Sequence, residues 1–348
     1  MMPPDPNFQP PPAKPPPPPP PPYGYGSQPA PPQQPVIPGL ITPAQRKPAA
    51  GWRRAVYSAT GGAVNPGDSA DDRQRRALIR RINYPVRGDY RIAVLSLKGG
   101  VGKTTTTVGL GATLAAARGD RVIAVDANPD FGTLAQRGPD QTRSTVRDLL
   151  ADLSIRRYSD IRAHTSQSES RLEIVASERD PAVSETFSEQ DYRQVIGLLQ
   201  RFYNIILTDC GTGLMHSAMK GVLDEANAIV LVTSPAMDGA LSATATLDWL
   251  TYHGYEHLVR YATVVVSSSR PGATSVDIGQ LIQHFRNRSR AVHFIPYDDH
   301  LAEGAEVVLG LMSRRTQDAF LGLAASIADG FAHTEHRPHI AHHGRGQQ

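Results

Sequence analysis

Seven short, β-branched apolar runs constrain the fold of this chain more than any other feature. They read "RIAVLSL", "RVIAVDA", "LEIVAS", "NIILTDC", "AIVLVTS", "ATVVVSS" and "AVHFIP". Each is apolar nearly throughout rather than alternating, which is the pattern of a strand buried on both faces. Helical periodicity fills most of the gaps, as in Thr104–Arg118, Glu189–Phe202, Ala240–His253 and Val276–Arg288, and Gln317–Phe331 reads as a closing helix. Such alternation predicts an α/β fold: a doubly wound, mostly parallel sheet with helices on both faces.

The pattern starts near Tyr90. Upstream, 21 of the 30 prolines fall between Pro3 and Pro48. Such a segment favours polyproline II and buries too little apolar surface to offset its ordering entropy. The expected organisation is a disordered proline-rich arm at 1–50, a basic linker at 51–88, an α/β domain at 89–332 and a loose His-rich tail at 333–348. The tail holds five His in "HTEHRPHIAHH"; a metal site is one reading, but no Cys or ordered framework accompanies them, which favours a mobile tail. The net charge of +3 is unevenly spread: residues 46–91 carry eleven Lys/Arg against four Asp, and residues 92–348 carry 24 against 28 acidic residues. Within the linker, Ser69 can cap a short helix with Asp71 and Asp72 in its first turn. Ala70, Ala77, Leu78 and Ile82 share one side of that helix; Arg73, Arg76 and Arg80 lie on another. Three readings stay open: packing on its own domain, binding anionic lipid, or binding DNA without sequence preference. The single cysteine, Cys210, allows no internal disulfide, and no apolar run reaches the ~18 residues of a membrane span. The expected location is cytoplasmic, at most peripheral on the inner membrane face.

"VLSLKGGVGKTTTTVG", Val94–Gly109, joins the first run to the first long helix. A strand–loop–helix context is what a phosphate-binding loop requires. Gly99, Gly100 and Gly102 let the backbone wrap closely around phosphate oxygens, with the N–H groups of Gly99 to Thr105, Val101 included, and the helix N-terminus facing the anion. Lys103 can reach the β- and γ-phosphates, and the Thr104 hydroxyl can face Mg²⁺. The strict G-x-x-x-x-G-K-[ST] pattern is broken at its first glycine, where Leu97 stands.

Two lysines in one loop carry a resemblance. Only five of the 36 basic residues are lysine, and two of them flank this glycine run. "KGGVGKTT" resembles the deviant Walker A loop of the MinD/ParA class of P-loop ATPases, over about Tyr90 to Phe331. The resemblance implies ATP and Mg²⁺ as cofactors, with Lys103 the ordinary P-loop lysine. Lys98 would be the signature lysine that reaches a partner's nucleotide across a homodimer. Facing nucleotides concentrate negative charge, and cations from both chains must offset it. Asp209 in "NIILTDCGTG" resembles the Walker B aspartate, holding Mg²⁺ through water, and Gly211 would give an N–H to the γ-phosphate. Cys210 beside it reads as a small packing residue.

"RVIAVDANPDFGT" departs from the family pattern, which is D-x-D here. Asp126 matches the first aspartate, which supports the Mg²⁺ shell. The second, which positions the attacking water, is Asn128; an amide carries no charge and cannot act as base. Asp130 is an alternative carboxylate two residues on. A narrower resemblance comes from the combination of a proline-rich arm, "GWRRAVY…GGAVNPG", "VDANPD" and "IPYDDHLAEGA". It is similar to the EspI-type ATPases that accompany mycobacterial ESX (type VII) secretion systems. That resemblance implies adenine contacts around Ser267–Arg270 and Pro296–Asp298, and a secretion component or secreted substrate as partner. Two other functions stay open: a partitioning or positioning ATPase acting on DNA or membrane through 51–88, and a non-hydrolysing ATP sensor.

Overall fold

The apolar runs pair into one eight-stranded sheet. The computed structural model describes residues 58–60, 69–128, 132–177, 187–214, 217–272 and 276–332. The arm at 1–50, the tail at 333–348 and Asp130 lie outside the described residues. From Ala70 on, the elements are α1 (Ala70–Ile82), β1 (Tyr90–Leu95), α2 (Lys103–Ala117), β2 (Val122–Ala127) and a 3₁₀ turn at Leu134–Arg137. Next come α3 (Val146–Ala151), α4 (Tyr158–Arg162), β3 (Ser166–Gln167), β4 (Glu173–Val175), α5 (Glu189–Leu199), β5 (Ile205–Cys210) and α6 (Ser217–Glu225). The remainder are β6 (Ala228–Thr233), α7 (Met237–Tyr252), α8 (Glu256–Arg260), β7 (Thr263–Ser267), α9 (Ile278–Arg286), β8 (Ala291–Ile295), α10 (Asp299–Ala302) and α11 (Arg314–Ala328).

The strand order is β3-β4-β2-β5-β1-β6-β7-β8. Every pairing is parallel except β3 with β4. The first long strand, β1, therefore lies between β5 and β6, and its C-terminal end opens at the middle of the sheet. The pleat divides the core in two. Ile92 and Val94 of β1 face a cluster completed by α2 and α11; Ala93 and Leu95 face one completed by α5, α6, α7 and α9. Local sequence explains where helices start. Ser188 and Asp191 form a capping box at the head of α5, and Tyr192, Val195, Ile196 and Leu199 give it a buried stripe.

Two strands differ from the sequence reading. β8 was expected to be buried on both faces, yet Ala291 to Phe294 are half-buried, because β8 is an edge strand beside β7. The antiparallel β3 has two residues, Ser166 and Gln167, too short and polar to carry a periodic signal. No helix among the described residues is long and apolar enough to cross a membrane.

The helix of the basic segment, α1, is capped by Ser69, whose hydroxyl accepts from the Asp72 N–H at 3.0 Å. It lies against α11 and α2. Ile82 is fully buried there. Arg75 pairs with Asp318 of α11, and Arg81 with Asp329, the residue that caps α11 at its C-terminus. Arg118, just beyond α2, donates to the carbonyls of Ile82 and Tyr84.

Candidate functional site

β1 ends at Leu95 and α2 begins at Lys103, so the intervening loop must turn sharply at the C-terminal edge of the sheet. Gly102 completes that turn in the left-handed region, φ +87°, and a Cβ there would lie 2.9 Å from Ser267 Oγ. A side chain at this position is disfavoured by both backbone and space. The N-terminus of α2 then borders a cavity of about 380 Å³. Four N–H groups at a helix start lack intrahelical partners, and the helix dipole adds positive potential there.

Lys103 is nearly buried, and its ammonium donates to Asp209 Oδ1 at 3.0 Å. The Thr107 hydroxyl, one turn on, donates to the same oxygen at 3.0 Å. Asp209 is 1% exposed and sits directly across from Asp126 in the β2–β5 register. Asp126 accepts from the Asn128 N–H at 3.1 Å and the Leu134 N–H at 3.0 Å. Burial, and then the facing Asp209 carboxylate, push the Asp126 carboxyl up to about 7. Two carboxylates, an ammonium and a hydroxyl thus lie under the cavity. Thr104 Oγ1 lies 3.3 Å from Thr133 Oγ1 at its wall. Lys98, at the rim and 42% exposed, pairs with Asp238 in the first turn of α7.

This arrangement of loop, helix N-terminus and paired strand-end aspartates spans residues that match one known family. Residues 92–308 fit the CobQ/CobB/MinD/ParA nucleotide binding domain. The chain belongs to the CobQ/CobB/MinD/ParA nucleotide-binding family. The chain is 38% identical over 283 residues to the ESX-1 secretion-associated protein EspI of Mycobacterium tuberculosis, a match covering 81% of this chain and 42% of that one. The chain thus spans less than half the length of this curated relative. Among solved structures it resembles the cell division ATPase MinD of Pyrococcus furiosus, with TM-score 0.55, 22% identity, and 70% of this chain and 99% of that chain covered. A ParA family ATPase from Chlorobium tepidum gives TM-score 0.57 at 17% identity, covering 68% and 98%. Both likenesses are of fold.

The structure brings most of the sequence-selected residues together. Lys98, Gly99, Gly100, Gly102, Lys103, Thr104 and Thr105 line the cavity, and so do Asn128, Ser267 and Pro296. Asp126 and Asp209 lie beneath it, both buried. Val101 turns its side chain into the core, leaving its backbone as what it can offer. Gly211 is buried, and its neighbour Thr212 lines the cavity instead. Cys210 is fully buried, with burial pushing its thiol up to about 12, which suits packing and not nucleophilic chemistry. Sequence reasoning missed Thr107, Thr133, Arg137 and Asp238. Thr107 was within reach of inference, since it stands one helical turn from Lys103 and so on the same face. The others come from separate elements with no local signature.

The donor set fits a polyphosphate with a hard cation. Backbone amides, the Lys103 ammonium and a left-handed glycine suit phosphate oxygens. Hydroxyl and carboxylate oxygens suit Mg²⁺. No group of three His, Cys, Asp or Glu among the described residues could hold a metal ion unaided. A cation here therefore needs phosphate oxygens or water to complete its shell.

Proposed function

We propose that this chain is an ATP-binding dimerisation switch that regulates or assists type VII (ESX) secretion. The observation that carries the nucleotide reading is Lys103 held on Asp209 at 3.0 Å under a cavity rimmed by the glycine loop and Lys98. The 38% identity to a secretion-associated protein supports the cellular role. Lys103 gives its charge to the phosphates, while Gly99 to Thr105 and Gly211 offer backbone N–H groups. Thr104, Asp126 and Asp209 hold Mg²⁺, which when bound neutralises phosphate charge. Ser267 and Pro296 flank the base. Lys98 leaves Asp238 for the nucleotide of a second copy, so ATP sits between two protomers and the closed homodimer engages a secretion component or substrate. The site of action is cytoplasmic, at most peripheral on the inner membrane face.

Asn128 favours a second reading. A neutral amide lines the cavity where the family pattern has a carboxylate, so turnover is slow or absent and the protein acts as an ATP sensor. A partitioning role on DNA or anionic membrane is a third reading: Arg75 and Arg81 of α1 are paired with Asp318 and Asp329, while Arg73 and Arg80 of its other face are exposed.

Calorimetric titration with Mg-ATP tests the core of the proposal. Lys103→Ala is expected to weaken binding by at least about 100-fold, having lost the main point charge on a buried triphosphate. Unchanged affinity would falsify the site. In the native host, the same variant should fail to restore export of type VII substrates to a strain lacking the wild-type chain.

A further inference from the structure

Three cationic side chains line the cavity among the described residues: Lys98, Lys103 and Arg137. Two are matched by carboxylates, Lys98 by Asp238 and Lys103 by Asp209. Arg137 is not. Its Nε and Nη1 are buried and have no hydrogen-bond partner. A guanidinium carries five donors, no acceptor, and a charge it keeps at any physiological pH. Leaving buried donors on a cation unmatched is costly unless an acceptor is supplied.

The fold nonetheless holds the residue in place. Arg137 ends the 3₁₀ turn that follows Asp126 and the cavity residue Thr133. Its carbonyl accepts from the Val307 N–H at 3.0 Å. Gly304, itself a cavity residue, would place a Cβ 3.7 Å from Nη1 and 3.8 Å from Nη2. Two segments far apart in sequence thus meet at Arg137, one bonding its main chain and the other, a glycine, leaving room beside its guanidinium at the cavity wall. Asp209 is the charge that acts on it, and Lys103 and Thr107 already occupy that carboxylate. Arg137 lines the cavity, and that is where an acceptor can be supplied.

We propose that Arg137 is a phosphate-binding residue, its guanidinium donating to non-bridging oxygens of the phosphate chain of the nucleotide bound in the same protomer. The inference rests on the reading of this cavity as an ATP site. If Lys98 serves the partner's nucleotide, Lys103 alone would otherwise face the phosphates from within one chain. The planar fork of Arg137 supplies the second cis cation and two parallel donors, a geometry that an ammonium cannot give.

Arg137→Gln, Arg137→Lys and Lys103→Ala are titrated with Mg-ATP and with inorganic tripolyphosphate. Arg137→Gln should weaken both ligands by about 10- to 100-fold, in parallel, because the contact is to phosphate and not to the base. Arg137→Lys should fall between, keeping the charge and losing the fork. The rise in thermal midpoint that Mg-ATP gives the wild type should shrink in Arg137→Gln. Wild-type affinity for both ligands in Arg137→Gln, with binding lost in Lys103→Ala, overturns the role of Arg137 and leaves the ATP site standing. If the wild type binds tripolyphosphate but not ATP, the nucleotide reading fails, and the tripolyphosphate comparison alone decides Arg137. If the wild type binds neither, both readings fall. Should Arg137→Gln lack a cooperative melting transition, Arg137→Lys decides, and wild-type ATP affinity there overturns the proposal.

Discussion

Asn128 donates its backbone N–H to Asp126 Oδ1 at 3.1 Å while it lines the cavity wall. The backbone contact would survive a change to aspartate, and the substitution adds a negative charge at the cavity wall. Asn128→Asp should raise steady-state phosphate release at least about tenfold, since a carboxylate can orient the attacking water and favour its developing positive character. The added charge, close to the buried Asp126 and Asp209, should also lower the stability of the nucleotide-free protein. If Asp130 already positions the water, Asn128→Asp changes little and Asp130→Ala abolishes turnover; phosphate release from the three proteins separates these outcomes. At this scale the site was partly legible. Gly99 to Thr105 are contiguous, and the turn dictates its own residues, so the loop could be read directly. Arg137 and Asp238 enter through tertiary packing of the 3₁₀ turn and of α7, which no local spacing encodes.

At the scale of elements, α1 shows how a basic segment becomes part of a folded body. Its polar pairs with α11 are half-exposed, so each contributes little, on the order of 0–1 kcal/mol. Its apolar end does more, because Ile82 is fully buried. Ile82→Ala should lower unfolding free energy by about 2–4 kcal/mol, read as a shift in the urea midpoint, whereas Arg75→Ala and Arg81→Ala should each shift it far less. Equal shifts in all three would show that α1 is not held by its apolar face. The start of this helix could be read from Ser69 and its two following aspartates, since capping is a local interaction. Its docking partner could not, because α11 lies more than 200 positions along the chain. The long strands were legible for the same reason as the cap, through their own composition. β3 and the half-buried β8 were not, because one is too short for periodicity and the other takes its exposure from its place in the sheet.

For the molecule as a whole, the proposed dimer makes a concrete demand on Lys98. Its neighbour α7 presents Met237 and Leu241, each 64% exposed, one turn apart beside Asp238. Exposed apolar side chains next to a paired cation suit a face that becomes buried on association. Lys98→Ala should keep Mg-ATP affinity close to wild type and lose the ATP-dependent doubling of mass seen by light scattering. A variant that still dimerises with ATP contradicts a contact made in trans. The strand order has a consequence of another kind. The ribosome releases β1 long before either neighbour: the chain must be made to Cys210 before β5 is complete and to Thr233 before β6 is. At roughly 5–20 residues per second, the gap lasts about 6–28 s. Through that interval Ile92 to Leu95, which end with no exposure to speak of, stand on the nascent chain with no strand beside them. Placing the loop between β1 and α2 at the centre of the sheet leaves this apolar segment unpaired, and open to wrong association, until β5 is made.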